Sequence, residues 1–114
     1  MAAAARMSVH FHVAAKTADV PAGSAIHVKV ADREIALFNL AGSFYAIGAI
    51  CTHGYARLAT GYIEGELIEC PQHGGTFEIK TGKAVDYPCT VNVKSYDVRV
   101  EDDTVLVGWE PLMV

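Results

Sequence analysis

Basic residues are scarce in this chain. Nine lysines and arginines stand against thirteen aspartates and glutamates, a formal net charge of −4. A nucleic-acid binder needs a basic face to neutralise phosphates, so nucleic acid is not an expected partner. An acidic surface suits docking to a basic patch on another protein. Long apolar runs are missing too: no stretch approaches the roughly 20 apolar residues of a membrane helix. The opening MAAAARM carries a single charge, Arg6, with no long apolar run behind it, and does not read as a secretory signal. The expectation is a soluble, cytoplasmic protein with no membrane partner. Helical periodicity never lasts beyond a turn or two, and there is no internal repeat. Three chemical groupings are also absent: a serine–histidine–acid set, a phosphate-binding glycine loop, and a set of two histidines and a carboxylate. Cysteine is sparse and odd in number, at three. Three thiols cannot all pair, which points to a reducing compartment.

What the chain does have is apolar content, 52% over 114 residues, enough for a core in one domain spanning 1–114. Residues 1–7 read as a loose tail. Val9, Phe11 and Val13 alternate with His10 and His12, which predicts a first strand with both histidines on the solvent side. Ile26, Val28 and Val30 alternate with His27 and Lys29 in a second strand, again with the histidine on the polar face. Asp32-Arg33 marks a turn. Glu34 to Leu40 is apolar on nearly every residue and predicts a central strand; Ala41-Gly42-Ser43 turns into a fourth, Phe44 to Ile47. Further on, Tyr62-Ile63 and Glu66-Leu67-Ile68 flank a turn at Glu64-Gly65, where glycine takes positive φ. Thr76 to Ile79 and Lys83 to Val85 form a hairpin across Thr81-Gly82. Tyr96 to Val100 and Val105 to Val107 close the chain around Asp102-Asp103, and Trp109 caps the core edge. The predicted class is all-β: an antiparallel sandwich or barrel base with a small inserted β subdomain over about 48–90.

That insert holds the chemistry. Cys51-x-His53 and Cys70-x-x-His73 are separated by 16 residues. A tetrahedral zinc site accepts such ligands and stabilises small domains. Zinc fingers, however, usually place two cysteines in one clip and two histidines in the other. One of each per clip suits a two-iron cluster, with Cys51 and Cys70 on one iron and His53 and His73 on the other.

CTHG…CPQHGG with this gap resembles the Rieske [2Fe-2S] proteins. From about Val9 onward the chain is similar to the small Rieske ferredoxins of bacterial aromatic-ring-hydroxylating dioxygenases. The resemblance implies a Rieske fold and one [2Fe-2S] cluster held by Cys51, His53, Cys70 and His73. It also implies a monomeric one-electron carrier that is not itself an enzyme. Its transient partners would be an NADH-dependent flavin ferredoxin reductase and a terminal Rieske oxygenase. An oxygenase subunit carries its mononuclear iron in a large second domain, for which 114 residues leave no room. The small subunit of assimilatory nitrite reductase is an alternative of similar appearance, and a zinc-stabilised interaction module is a further one.

The neighbours of the motif have readable roles. Gly54, Gly74 and Gly75 let the backbone approach the cluster and offer amide donors; Pro71 stiffens the second clip. The family's proline loop falls at Tyr87-Pro88-Cys89. Four ligands are already supplied, so Cys89 is expected to be a small loop residue. Arg57 and the acidic Glu64, Glu66, Glu69 and Glu78 are candidate partner contacts, or ordinary surface charges.

Two ferric ions, two sulfides, two thiolates and two neutral imidazoles sum to zero charge. Reduction therefore costs less than in an all-thiolate cluster, and Rieske potentials span about −150 to +300 mV. High-potential respiratory members resemble C-T-H-L-G-C and C-P-C-H-G-S-x-Y. They carry a disulfide between the clips, and serine and tyrosine hydroxyls directed at the cluster sulfurs. Here Ala56 and Gln72 replace the two cysteines, Gly75 the serine and Phe77 the tyrosine. With fewer donors to stabilise the reduced state, redox titration is expected to find a midpoint near the bottom of that range. A midpoint well above zero would contradict this reading.

Overall fold

The computed structural model describes residues 9–52, 54–72 and 74–110. The expected tail, residues 1–7, lies outside them. Ten strands follow in order: β1 His10–Lys16, β2 Ser24–Val30, β3 Arg33–Leu40, β4 Ser43–Gly48, β5 Tyr62–Glu64, β6 Leu67–Glu69, β7 Thr76–Glu78, β8 Ala84–Asp86, β9 Ser95–Glu101 and β10 Thr104–Trp109. Among the described residues no helix is long and apolar enough to cross a membrane.

Two-residue turns set the register. Val30 pairs with Arg33, Leu40 with Ser43, Glu64 with Leu67 and Glu101 with Thr104, which leaves two residues to each turn. The first turn residue is left-handed in every case: Ala31 (φ 46°), Ala41 (φ 53°), Gly65 (φ 62°) and Asp102 (φ 56°). That geometry matches the right-handed twist of the flanking strands. Gly65 takes the positive φ expected of it, but two turns sit one residue away from expectation, at Ala31-Asp32 and Gly65-Glu66.

The larger sheet runs β1-β10-β9-β4-β3-β2, antiparallel throughout. Its two edge strands, β1 and β2, approach each other, so the sheet curls on itself. The smaller sheet, β5-β6-β7-β8, is inserted between β4 and β9.

β3 is apolar on both faces because each face meets a core. Ile35 and Leu37 point into the curl with Val20, Val30, Ala46, Val105 and Val107. Ala36 and Phe38 point the other way, against Ile47, Ala49, Leu58, Ile68, Phe77 and Ile79. This second core joins the two sheets, and all three cysteines belong to it. Each fully buried aliphatic or aromatic side chain contributes about 1.5–3 kcal/mol.

The histidines depart from expectation. His12 pairs with Val107, a core residue, and so shares its face. It stacks on Trp109 with ring centroids 4.7 Å apart. Val13 is instead 68% exposed, and the register shifts between Val13 and Ala15. His10 is exposed as expected, whereas the predicted alternation fails at His12 and Val13, beside a bulge that resets the parity. Trp109 does close the core edge, with Tyr96 edge-on at 5.6 Å and the Arg33 guanidinium 4.6 Å from its centroid. His27 pairs with Ala36 and faces the second core, beneath the 3-10 turn Leu58–Thr60. It bonds Glu34 Oε1 at 2.5 Å.

That hydrogen bond holds the Glu34 carboxyl below its ordinary value; partial burial opposes the effect, and the charges of His27, Arg57 and Lys29 add to it. A depressed folded-state value stabilises the fold above the unfolded pKa and loses that effect as pH falls through the folded one. Glu34→Gln should therefore be less stable than the parent at neutral pH. The gap should close on acidification through the glutamate range, as urea denaturation at a series of pH values would show. A gap that does not change with pH counts against this role.

Candidate metal centre

The two cysteine loops are built alike. After β4, Ala49 N–H bonds Glu34 O at 3.0 Å and Leu58 N–H bonds Ala49 O at 2.8 Å. A bridge pairs Ile50 with Arg57. Inside that frame Cys51 N–H donates to Ala56 O at 2.9 Å, and Gly54 N–H returns to Cys51 O at 3.3 Å. The second loop closes the β6–β7 hairpin, where Glu69 pairs with Thr76. Cys70 N–H donates to Gly75 O at 2.7 Å, and Gly74 N–H returns to Cys70 O at 3.2 Å. In both loops the cysteine amide reaches a carbonyl five residues on and its own carbonyl accepts a returning amide. This fixes each cysteine at the root of its loop, where Cys51 and Cys70 are 2% and 1% exposed. His53 and His73 fall within these loops in sequence and lie outside the described residues.

A strap of residues 87–93, with a cis Tyr87–Pro88 peptide, is tied to the first loop and to the β7–β8 hairpin that follows the second. Thr52 Oγ1 donates to Val91 O at 2.5 Å, Thr76 Oγ1 to Asp86 Oδ2 at 2.6 Å, and Cys89 N–H to Asp86 O at 3.0 Å. At its far end Ala84 N–H bonds Asn92 Oδ1 at 2.9 Å, and Val93 N–H bonds Gly82 O at 2.9 Å. Thr52 was not singled out from sequence, although its place between Cys51 and His53 marks it.

Cys89 is a loop residue, as expected, and a closely packed one. It is buried, with Sγ 3.9 Å from Cys51 Sγ. A Cβ on Gly75 would lie 2.5 Å from Cys89 Sγ and 2.9 Å from its backbone nitrogen. Gly75 is thus required by the close approach of the strap. Burial first, then the hydrogen bond with Cys51 and the charges of Cys51 and Cys70, push the Cys89 thiol up to about 12.

Two buried cysteines at matching positions in two closed loops, within one core, have the donor chemistry a sulfur-ligated metal cluster needs. The histidines at 10, 12 and 27 belong to strands of the larger sheet and not to these loops. Of the candidate acidic contacts, Glu66 is taken up by Lys80 at 3.0 Å and Glu78 by Thr81 Oγ1 at 2.5 Å. Arg57 is exposed beside the first loop.

An all-β protein with a small inserted sheet carrying twin cysteine loops has the architecture of a candidate metal-binding domain. The model of the Rieske [2Fe-2S] domain matches residues 10–97, and the chain belongs to that family. The cofactor of that family is one [2Fe-2S] cluster. Over 92 residues the chain is 45% identical to the ferredoxin component of the naphthalene 1,2-dioxygenase/salicylate 5-hydroxylase systems of Ralstonia sp; the match covers 81% of this chain and 88% of that protein. The ferredoxin of carbazole 1,9a-dioxygenase from Nocardioides aromaticivorans IC177 superposes with a TM-score of 0.80 at 32% identity, covering 88% of this chain and 96% of that one. A chain in the complex of reduced oxygenase and oxidized ferredoxin in carbazole 1,9a-dioxygenase gives 0.81 at 33% identity, covering 91% and 97%.

The tight packing at Gly75 generates a prediction. Gly75→Ala should cost about 1–3 kcal/mol in chemical denaturation through overpacking. Gly48→Ala, whose Cβ would meet nothing nearer than 3.6 Å, should stay within about 1 kcal/mol of the parent. Equal costs at the two positions would remove the case for a close strap.

Proposed function

We propose that this chain, folded as one domain over 1–114, is a cytoplasmic one-electron carrier of an aromatic-ring dioxygenase system. It takes electrons from an NADH-dependent flavin ferredoxin reductase and passes them to the terminal oxygenase. Cys51 and Cys70 hold one iron of the cluster, and His53 and His73 hold the other. The observation that carries this reading is the pair of matched loops, which root two buried thiols in one core at the spacing of the family motif. Relatives that are ferredoxin components over nearly their whole length support the carrier role. The solved complex of reduced oxygenase and oxidized ferredoxin in carbazole 1,9a-dioxygenase supports the oxygenase partner.

The bound cluster supplies a one-electron couple, and the protein's residues set its surroundings. The loop roots keep the thiols away from water. Tyr55 on the first loop is 94% exposed; Tyr87 and Val91 on the strap are 86% and 61% exposed. These apolar groups border the loops and suit a small, transient contact, because a shuttle must leave as readily as it arrives. Gly75 has no side chain and Phe77, fully buried, has no hydroxyl. Both fit a low-potential member.

The test is reconstitution. The purified protein should be red-brown, bleach partly on dithionite and lose the Rieske spectrum in Cys51→Ser and His73→Ala. Its midpoint should fall with pH above the pKa of the oxidised-state histidines. Tyr87→Ala should keep the spectrum and slow reoxidation by oxygenase. A colourless protein holding zinc, or a permanent complex with a large reductase subunit, would sink the proposal.

A further inference from the structure

We propose that Cys89 is a potential-setting residue, its buried thiol donating an S–H···S hydrogen bond to Cys51 and so favouring the reduced state. The inference rests on the assignment of Cys51 as a cluster ligand made above. Three observations carry it. Cys89 Sγ lies 3.9 Å from Cys51 Sγ, within sulfur hydrogen-bonding reach. The thiol is 4% exposed, so water does not compete for it. Its position is enforced from outside: its amide is held by Asp86 O at 3.0 Å, and Thr52 anchors the strap two residues further on through Val91 O.

The direction of the bond follows from chemistry. A metal-bound thiolate has no proton to give, so Cys51 accepts and Cys89 donates. One-electron reduction adds one negative charge to the cluster and its sulfur ligands. A donor on a ligand sulfur binds that charged state more strongly than the oxidised one, and the potential rises. Gly75 matters here through what it leaves out. A Cβ at position 75 would lie 2.5 Å from the thiol, so Cys89 occupies the volume that a side chain there would claim. The second loop supplies no side chain from this position, and the strap supplies a donor to the first loop instead. The low potential expected from Gly75 and Phe77 is thereby partly offset.

The test compares the holoprotein with Cys89→Ala and Cys89→Ser, after visible and electron paramagnetic resonance spectra establish that each variant carries the Rieske cluster. Against a one-electron mediator at fixed potential, the reduced-to-oxidised ratio should fall about three- to tenfold in Cys89→Ala, the worth of one hydrogen bond. A tenfold fall corresponds to about 59 mV for one electron. Cys89→Ser keeps a donor at the same place and should recover at least half of the shift. Resonance Raman Fe–S bands should move in D2O for the parent and the serine variant, and move less for alanine. A packing role alone would make serine and alanine behave alike. That result, an unchanged ratio in Cys89→Ala, or loss of the cluster from both variants would overturn the proposal. Failure of the underlying ligand assignment shows separately, as a Rieske spectrum that survives in Cys51→Ser.

Discussion

The rest of the site depends on one hydrogen bond made twice. In each loop the cysteine amide donates to the carbonyl five residues on, from Cys51 to Ala56 and from Cys70 to Gly75. A short loop closed in this way has little freedom left at its root, so the entropy of ordering each sulfur is met by the backbone during folding. The side chain is then aimed into the core. Repeating the device on a β4 extension and on the β6–β7 hairpin makes two unrelated stretches of chain present their thiols to the same interior.

That interior also couples the site to the fold. Phe38 and Ala36 of β3 pack against Ile68, Phe77 and Ile79 of the inserted sheet, in the core that holds all three cysteines. The strap completes the enclosure: Thr52 bonds it to the first loop, and Cys89 packs closely against Gly75 of the second. Rigid packing has a functional consequence, because a site that barely rearranges on reduction exchanges an electron at little reorganisation cost. Exposed aromatic groups border the loop and strap surfaces, where Tyr55 and Tyr87 sit, while the sulfurs stay dry.

Much of the architecture was legible from residue patterns. Alternation and glycine-marked turns located the strands, and the doubly apolar run at Glu34 to Leu40 announced an interior strand. The errors share a cause. Period-two reasoning assumes that one face of a strand is wet. β2 turns His27 toward a core covered by the 3-10 turn at Leu58–Thr60, and β1 turns His12 toward Trp109 across a bulge. In both places the ring meets a partner on another strand, His27 Nε2 the Glu34 carboxylate and His12 the indole of Trp109. The turn after β2 slipped by one residue because Ala31 and Asp32 adopt left-handed geometry without glycine.

By itself the sequence determined the class of chemistry. Residue type, order and spacing at Cys51, His53, Cys70 and His73 are local, and the metal preference read from them follows from donor chemistry that needs no fold to be read. The tertiary structure alone decided the surroundings of the sulfurs. Cys89 is 38 residues from Cys51 in the chain, and no local pattern encodes their contact. It exists because Thr52, Gly75 and Asp86 draw the strap across both loops, and such long-range packing is fixed only when every element has found its place.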